Sequence, residues 1–253
     1  MDVGVSTGAV TGGGLQNLVP SNPMMMSYPV PPEAPEAATP PVGPETAMPP
    51  EAPTVMTPEA PMVTPPESPA VMPAEEVACR QELRRLGVTY RDLPTINDGG
   101  ACGIEHPVQV SGFSGDIALK PAATLTCPMA LTFARWTKNE LAPAARRRYL
   151  SGIGTIRQGS SYSCRRIRGT AVASEHSKGN ALDVMSITLK NGREIDVRRP
   201  GFFAFRQKGL LNTVRAEGCD YFTTVLGPGY NADHSNHFHF DIKARRNGYR
   251  ACR

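Results

Sequence analysis

The stretch A-L-D-V-M-S-I-T-L-K-N-G-R-E-I-D-V, residues 181–197, decides the fold class of this chain. Both halves are rich in β-branched and apolar side chains, and Asn191-Gly192 between them is a preferred two-residue turn. The pattern predicts a β-hairpin. Strand alternation places Asp183 on the face opposite Leu182 and Val184, so its carboxylate points away from the apolar side of the sheet.

Two more strands are predicted downstream, over residues 221–226 and 237–242. In the second of these, alternation separates the polar side chains from the aromatic ones. The polar face carries His237, His239 and Asp241. Two imidazoles therefore lie side by side on a strand, close enough for one to bind a metal while the other contacts a metal-bound water.

Helices are predicted upstream and between these strands. Apolar spacing, capping residues and Gly or Pro stops place them at residues 74–86, 128–141 and 202–217. The second helix is expected to end or kink at Pro143 and the third to end at Gly218. Together these elements predict an α+β fold, a small antiparallel sheet with flanking helices.

The N-terminal segment has a different composition. The first 78 residues hold 18 of the 25 prolines and no Lys or Arg. We therefore predict that residues 1–76 are a disordered, Pro-rich, acidic linker and that residues 77–253 form the folded domain. The linker is interpreted either as a semi-rigid spacer or as a dispensable tail.

Charge is divided unevenly along the chain. The first 78 residues hold nine of the 23 acidic residues, so the remainder carries all 27 basic residues against 14 acidic ones, a net charge of +13. Nucleic acid, anionic lipid or an anionic cell-wall polymer would suit such a domain. Nucleic acid is disfavoured because aromatic residues are 6% of the chain and do not interleave with the basic ones.

Six cysteines, all in the second segment, indicate an oxidising compartment. They lie far apart and form no C-x-x-C: Cys79, Cys102, Cys127, Cys164, Cys219 and Cys252. Up to three disulfides are expected, with fifteen pairings open. No signal peptide and no run of about 18 apolar residues is visible. Giving the cysteines more weight, we expect a periplasmic, envelope or secreted protein, against the alternative of reduced thiols in the cytosol.

Two short motifs suggest a metal site. Residues 174–183 read S-E-H-S-K-G-N-A-L-D, and residues 237–239 read H-F-H. Neutral imidazole and carboxylate are the usual ligands of zinc hydrolases, and a glycine between His176 and Asp183 can let the backbone turn. No H-E-x-x-H, G-x-S-x-G or Walker motif offers another mechanism.

The first motif fits S-x-H-x-x-G-x-A-x-D at every fixed position, and thereby resembles the LAS zinc peptidases, the lysostaphin, D-Ala-D-Ala carboxypeptidase and hedgehog group. The resemblance implies that His176, Asp183 and His239 bind Zn²⁺ and that His237 assists the attacking water. It also implies an arginine that holds substrate or polarises its carbonyl. S-Y-S-C-R-R, residues 161–166, supplies Arg165, with Arg166 in reserve.

A broader resemblance covers nearly all of residues 79–253. Segments such as C-R-Q-E-L-R-R-L-G-V, D-G-G-A-C-G-I and V-L-G-P-G-Y-N-A-D-H-S-N-H-F-H-F-D are similar to the bacterial extensin-like protein C-terminal family. His234 in the last segment is a further candidate for substrate contact. Both resemblances together imply a LAS-like fold and a zinc-dependent peptidoglycan peptidase, either endopeptidase or carboxypeptidase. The alternative is a cell-wall-binding or structural protein that keeps the metal site without catalysis.

Overall fold

The computed structural model describes residues 72–198, 200–202 and 204–253. Its helices are α1 (Ala74–Arg85), α2 (Cys127–Trp136), α3 (Ala142–Tyr149) and α4 (Phe205–Tyr221). Its strands are β1 (Thr89–Asp92), β2 (Ile96–Gly99), β3 (Cys102–Ile104), β4 (Val108–Phe113), β5 (Ile117–Leu125), β6 (Ile153–Ser160), β7 (Ala181–Leu189), β8 (Glu194–Asp196), β9 (Thr224–Leu226), β10 (Phe238–Asp241) and β11 (Ala251–Cys252). Of the predicted linker, residues 1–76, the part up to residue 71 lies outside the described residues. Helix α1 begins at Ala74, so it includes the last three residues of that predicted linker.

One mixed sheet of nine strands dominates the described part of the chain. Its order is β1-β4-β5-β6-β7-β10-β9-β11, with β8 also paired to β7. The predicted α+β class is confirmed, but the expectation of a small antiparallel sheet was wrong. The β5–β6 and β9–β11 pairs are parallel. Local alternation missed β6 because its sequence, I-G-T-I-R-Q-G-S, carries two glycines, and β11 has only two residues.

The predicted hairpin is confirmed as β7 and β8. Gly192 takes a positive φ of 83° in the turn, a conformation that glycine adopts without a Cβ clash. Strand β7 pairs with β6 along one edge. Along its other edge, residues 181–184 pair with β10 and residues 186–188 pair with β8. This arrangement pairs His239 of β10 directly with Asp183 of β7.

An aromatic cluster fills the core on one side of β10. Its members come from α2, β10 and the end of α4, and each is at most 2% exposed: Phe133, Trp136, Phe222, Phe238 and Phe240. The ring of Phe240 lies 4.9 Å from those of both Trp136 and Phe222. Burying each such side chain stabilises the fold by about 1.5–3 kcal/mol. Because these rings hold one face of β10 against the core, the histidine face points the other way.

Two helix ends differ from prediction. A π-helical turn, Thr137–Leu141, continues α2 directly into α3, and Pro143 lies in the first turn of α3. Proline has no N–H to donate, and the π turn directly before it, closed by the Ala142 N–H on the Thr137 carbonyl, is where the helical hydrogen-bond pattern changes. Gly218 lies inside α4 rather than after it, and a Cβ at that position would lie 3.3 Å from Phe240 and Val225. The glycine therefore allows close packing and does not end the helix.

Three disulfides settle the pairing that the sequence left open. Cys79 pairs with Cys127, Cys102 with Cys164, and Cys219 with Cys252. They join α1 to α2, β3 to the segment before Arg165, and α4 to β11. Among the described residues, no helix combines the length and apolar character that crossing a membrane requires.

Candidate metal centre

His176, Asp183 and His239 come together from three separate segments. His176 lies in a 3₁₀ turn, Glu175–Lys178, whereas Asp183 lies on β7 and His239 on the neighbouring β10. The Nε2 atom of His176 is 3.1 Å from Nδ1 of His239 and 3.2 Å from Oδ1 of Asp183. The His239 Nδ1 and Asp183 Oδ1 atoms are 2.9 Å apart. Two imidazole nitrogens and one carboxylate oxygen thus converge on a single point.

The turn that carries His176 is held at both ends. The Ser174 hydroxyl accepts a hydrogen bond from the His176 backbone N–H, and Gly179 ends the turn with a positive φ of 68°. A Cβ on Gly179 would collide with the Ile104 side chain. Glu175 is buried and accepts hydrogen bonds from Lys178 and Asn180. This acidic neighbour of the candidate ligand is therefore occupied in fixing the turn.

The remote ring nitrogens of both histidines face fixed acceptors. His176 Nδ1 lies 2.7 Å from the backbone carbonyl oxygen of Ser161, and His239 Nε2 lies 3.1 Å from Asp241 Oδ2. A carbonyl or carboxylate accepts an N–H from the ring, so the proton on the remote nitrogen is held in place, and the nitrogen that faces Asp183 is the one that can give up its proton and become a metal ligand. Such outer hydrogen bonds orient metal-ligating histidines in general. Asp241 thus supports the His239 ring from the same polar face of the strand.

Burial and hydrogen bonding shift the pKa values of Asp183 and His239 in opposite directions. Burial alone would raise the pKa of the Asp183 carboxyl, but hydrogen bonds with His176 and His239 outweigh it and hold that pKa well below its usual range. Burial would lower the pKa of His239, yet hydrogen bonds with Asp183 and Asp241 raise it to about 9. The cluster therefore holds a buried carboxylate whose charge is balanced by protons, and a divalent cation would replace those protons.

Two other predicted residues lie beside the three candidate ligands. His237 Nε2 is 3.8 Å from Asp183 Oδ1, and Arg165 Nη2 is 3.4 Å from Asp183 Oδ2. Burial lowers the pKa of His237 despite the attraction of Asp183. The structure thus places one imidazole and one guanidinium beside the candidate ligands.

His234 and Arg166 have different surroundings. The His234 ring lies 5.2 Å from the His237 ring and 5.9 Å from the His239 ring, centroid to centroid. Burial lowers its pKa to about 4. Arg166 instead forms a backbone bridge with Ala173, and within the described chain no hydrogen bond or ion pair joins its side chain to a candidate ligand. Of the two predicted substrate contacts, only His234 is adjacent to the centre.

Sequence reasoning missed the supporting atoms around these side chains. The Ser161 carbonyl belongs to the backbone, and Asn236 and Asn231 accept hydrogen bonds from His237 and His234 at 3.0 Å and 2.6 Å. A backbone carbonyl carries no residue-type signal. The two asparagines follow no spacing that would have distinguished them from ordinary loop residues.

The donor set fits zinc. Within the described residues, His176, Asp183 and His239 are the group of three whose ligand atoms all lie within 4.8 Å of one another. Two imidazoles and a carboxylate are a usual set for a catalytic zinc ion, which keeps a further position for water or substrate. His237 and Arg165 lie beside this donor set, and the Arg165 side chain is 44% exposed.

Comparison with known families places the whole site in one domain. The family model described as extensin-like protein C-terminus matches residues 77–253, which is more than two thirds of the chain. The chain belongs to this family. No curated protein and no solved structure matches it. The extensin-like domain contains all the candidate ligands and all three disulfides.

Proposed function

We propose that the extensin-like domain is a zinc-dependent peptidase that hydrolyses an amide bond in peptidoglycan stem peptides or cross-links. The observation that carries this proposal is the convergence of His176 Nε2, His239 Nδ1 and Asp183 Oδ1, with both remote ring nitrogens bonded to fixed acceptors. The match of residues 174–183 to the LAS zinc-peptidase motif supports the same chemistry.

In this proposal His176, Asp183 and His239 hold the zinc ion. Bound zinc polarises a scissile carbonyl and lowers the pKa of water to about 7. His237, close to Asp183 and neutral because burial lowers its pKa, accepts a proton from the attacking water and returns it to the leaving amine. Arg165, whose side chain is 44% exposed, faces substrate and offsets negative charge on the carbonyl oxygen.

The proposed substrate class follows from charge and compartment. Stem peptides are rich in carboxylates, and the chain after residue 78 has a net charge of +13. Three disulfides and membership of the extensin-like family are consistent with an extracellular or envelope protein. A basic, disulfide-bonded hydrolase would meet an anionic wall polymer in that compartment.

The test combines metal analysis with digestion of defined muropeptides followed by mass spectrometry. We expect about one zinc per wild-type chain and new fragments with a free amine and a free carboxylate. His239→Ala should lose both zinc and activity, whereas His237→Ala should keep zinc and lose activity.

His106→Ala is the matched control, because His106 lies outside the cluster and pairs only weakly with Glu105. It should retain both zinc and activity. Stoichiometric zinc without any fragment would instead support a wall-binding protein that keeps the metal. Hydrolysis that survives His239→Ala would rule out the proposed mechanism.

A further inference from the structure

A cavity of about 440 Å³ lies between the end of α3, β8 and the first turn of α4. Tyr149, Arg193 and Arg206 line it. Glu194 on its wall pairs in the sheet with Thr188, five residues along β7 from Asp183. At about 3.3 Å per residue, the cavity is roughly 17 Å from the candidate metal centre along the strand. It is therefore a separate site.

The N-terminus of α4, which is the positive end of the helix dipole, lines this cavity. The residue before the helix is Ala204, which has no side chain able to cap it, and the first turn contains no acidic residue. Among the described residues, the backbone N–H groups of Phe205 and Arg206 have no acceptor. Both line the cavity. Free N–H groups and the helix dipole together attract an anion.

A buried phenol provides an independent indication of a ligand. Tyr149 is only 9% exposed, yet its hydroxyl has no hydrogen-bond partner in the described part of the chain. The Arg193 guanidinium lies 5.7 Å from the centre of its ring. Burial raises the pKa of Tyr149, while the nearby Arg193, Arg206 and Arg148 act to lower it.

These cations are available to an external anion. Within the described residues, neither Arg193 nor Arg206 forms an ion pair with a carboxylate. Among the described lining residues the one acidic side chain is that of Glu194, which accepts a hydrogen bond from the Ser186 hydroxyl at 2.7 Å. The cavity thus combines two guanidinium groups, a phenol and a helix N-terminus with a single carboxylate, that of Glu194, among its described lining residues.

We propose that this cavity binds a phosphate group. Its donors outnumber the two oxygens of a carboxylate but match a phosphate, which offers at least three acceptor oxygens and up to two negative charges. Guanidinium forks suit phosphate geometry, and a helix N-terminus is a common phosphate site. The phosphate could belong to a small monoester or to a phosphodiester polymer of the envelope, since both present the same oxygens.

Calorimetry on the full chain at constant ionic strength tests this site. Inorganic phosphate, a phosphate monoester and a short poly(glycerol phosphate) are titrated in parallel, with a dicarboxylate as comparison. Arg193→Gln combined with Arg206→Gln should weaken phosphate binding about tenfold or more, because both charge-assisted contacts are lost. Tyr149→Phe, which keeps the ring, should weaken it to a smaller extent.

Arg246→Gln is the matched control, since Arg246 is exposed and distant in sequence from the cavity. It should bind phosphate like the wild type. Tighter binding of the monoester or of the polymer identifies the source of the phosphate, and either result supports the site. No binding by the wild type up to about 10 mM, unchanged affinity in the double arginine variant, or a dicarboxylate that binds as tightly as phosphate, overturns the proposal. These readouts do not depend on peptidase activity.

Discussion

Single residues decide whether the imidazoles can act as metal ligands. Asp241 accepts from His239 through Oδ2, while its Oδ1 accepts from the Lys243 backbone N–H at 3.0 Å. Both carboxylate oxygens are therefore occupied. Burial would raise the pKa of Asp241, but the hydrogen bond with His239 lowers it and keeps the group ionised. Asp241 fixes the ring that directs His239 Nδ1 at Asp183.

Replacing this carboxylate by an amide should weaken metal binding without altering side-chain volume. In Asp241→Asn the amide keeps one acceptor for Lys243 and turns its NH₂ toward the ring N–H of His239, so two donors meet. Zinc affinity should fall about 10–100-fold, measured by competition with a chromophoric chelator. Asp220→Asn, an exposed change on α4, is the control. Equal affinities in both variants would contradict the supporting role of Asp241.

Arg165 should affect turnover without affecting the metal. Its Nη2 atom is 3.4 Å from Asp183 Oδ2, and its side chain is 44% exposed, so in the proposed mechanism it is a cation that substrate can reach. Arg165→Ala should lower kcat on muropeptides about 10²-fold while zinc content stays at the wild-type value. Arg166→Ala, the neighbouring arginine outside the site, should leave kcat unchanged. The reverse pattern would assign the substrate arginine to Arg166.

At the scale of elements, the turn before β7 presents His176 only because its last residue is glycine. Gly179 has a positive φ of 68° and lies against Ile104 and the Thr126 backbone. Gly169 has a similar φ of 73° with no atom within 4 Å of a Cβ built on it. Comparing alanine substitutions at Gly179 and Gly169 therefore separates the destabilisation due to the backbone conformation from the destabilisation due to the collision with Ile104.

Gly179→Ala should therefore destabilise the fold more than Gly169→Ala. In both variants an alanine in the left-handed backbone conformation lowers the free energy of unfolding by about 1 kcal/mol. In Gly179→Ala, overpacking against Ile104 lowers it by about 1–3 kcal/mol more. Urea unfolding of the two variants measures the difference directly. Gly179→Ala should also bind zinc more weakly because the turn shifts. Identical unfolding midpoints would show that Ile104 moves aside without cost.

At the scale of the whole molecule, the disulfides join segments that are distant in sequence. Cys79–Cys127 and Cys102–Cys164 span 48 and 62 residues, so their loop entropies are similar. Only the second is next to Arg165. Comparing them separates general stability from positioning of the site.

Removing either bond should cost a comparable amount of stability. Cys79→Ala with Cys127→Ala, and Cys102→Ala with Cys164→Ala, should each lower the free energy of unfolding by about 2–4 kcal/mol in denaturant titrations. Only the second pair should lower kcat on muropeptides at a temperature where both proteins remain folded. Equal kcat values would show that the segment holding Arg165 needs no tether.

Prediction from sequence succeeded where the signal was local. Alternation in β7 and β10 and the Asn191-Gly192 turn are set by neighbouring residues, so the hairpin and the polar face of β10 were predicted. The helix end at Gly218 was wrong, because packing against Phe240 depends on a distant partner, and at Pro143 the helix continues after a π turn instead of ending. The short or glycine-containing strands β6 and β11 were missed for the same reason.

The sequence by itself determined the α+β class, the six cysteines available for disulfides and the residue types of the candidate metal site. Only the tertiary structure decided that His239 pairs with Asp183 across two strands, that His176 completes the cluster, and which cysteines bond. Side-chain periodicity is a property of neighbours along the chain. Contacts between residues 56 or 63 positions apart depend on strand order and register, which the packing of the whole core selects.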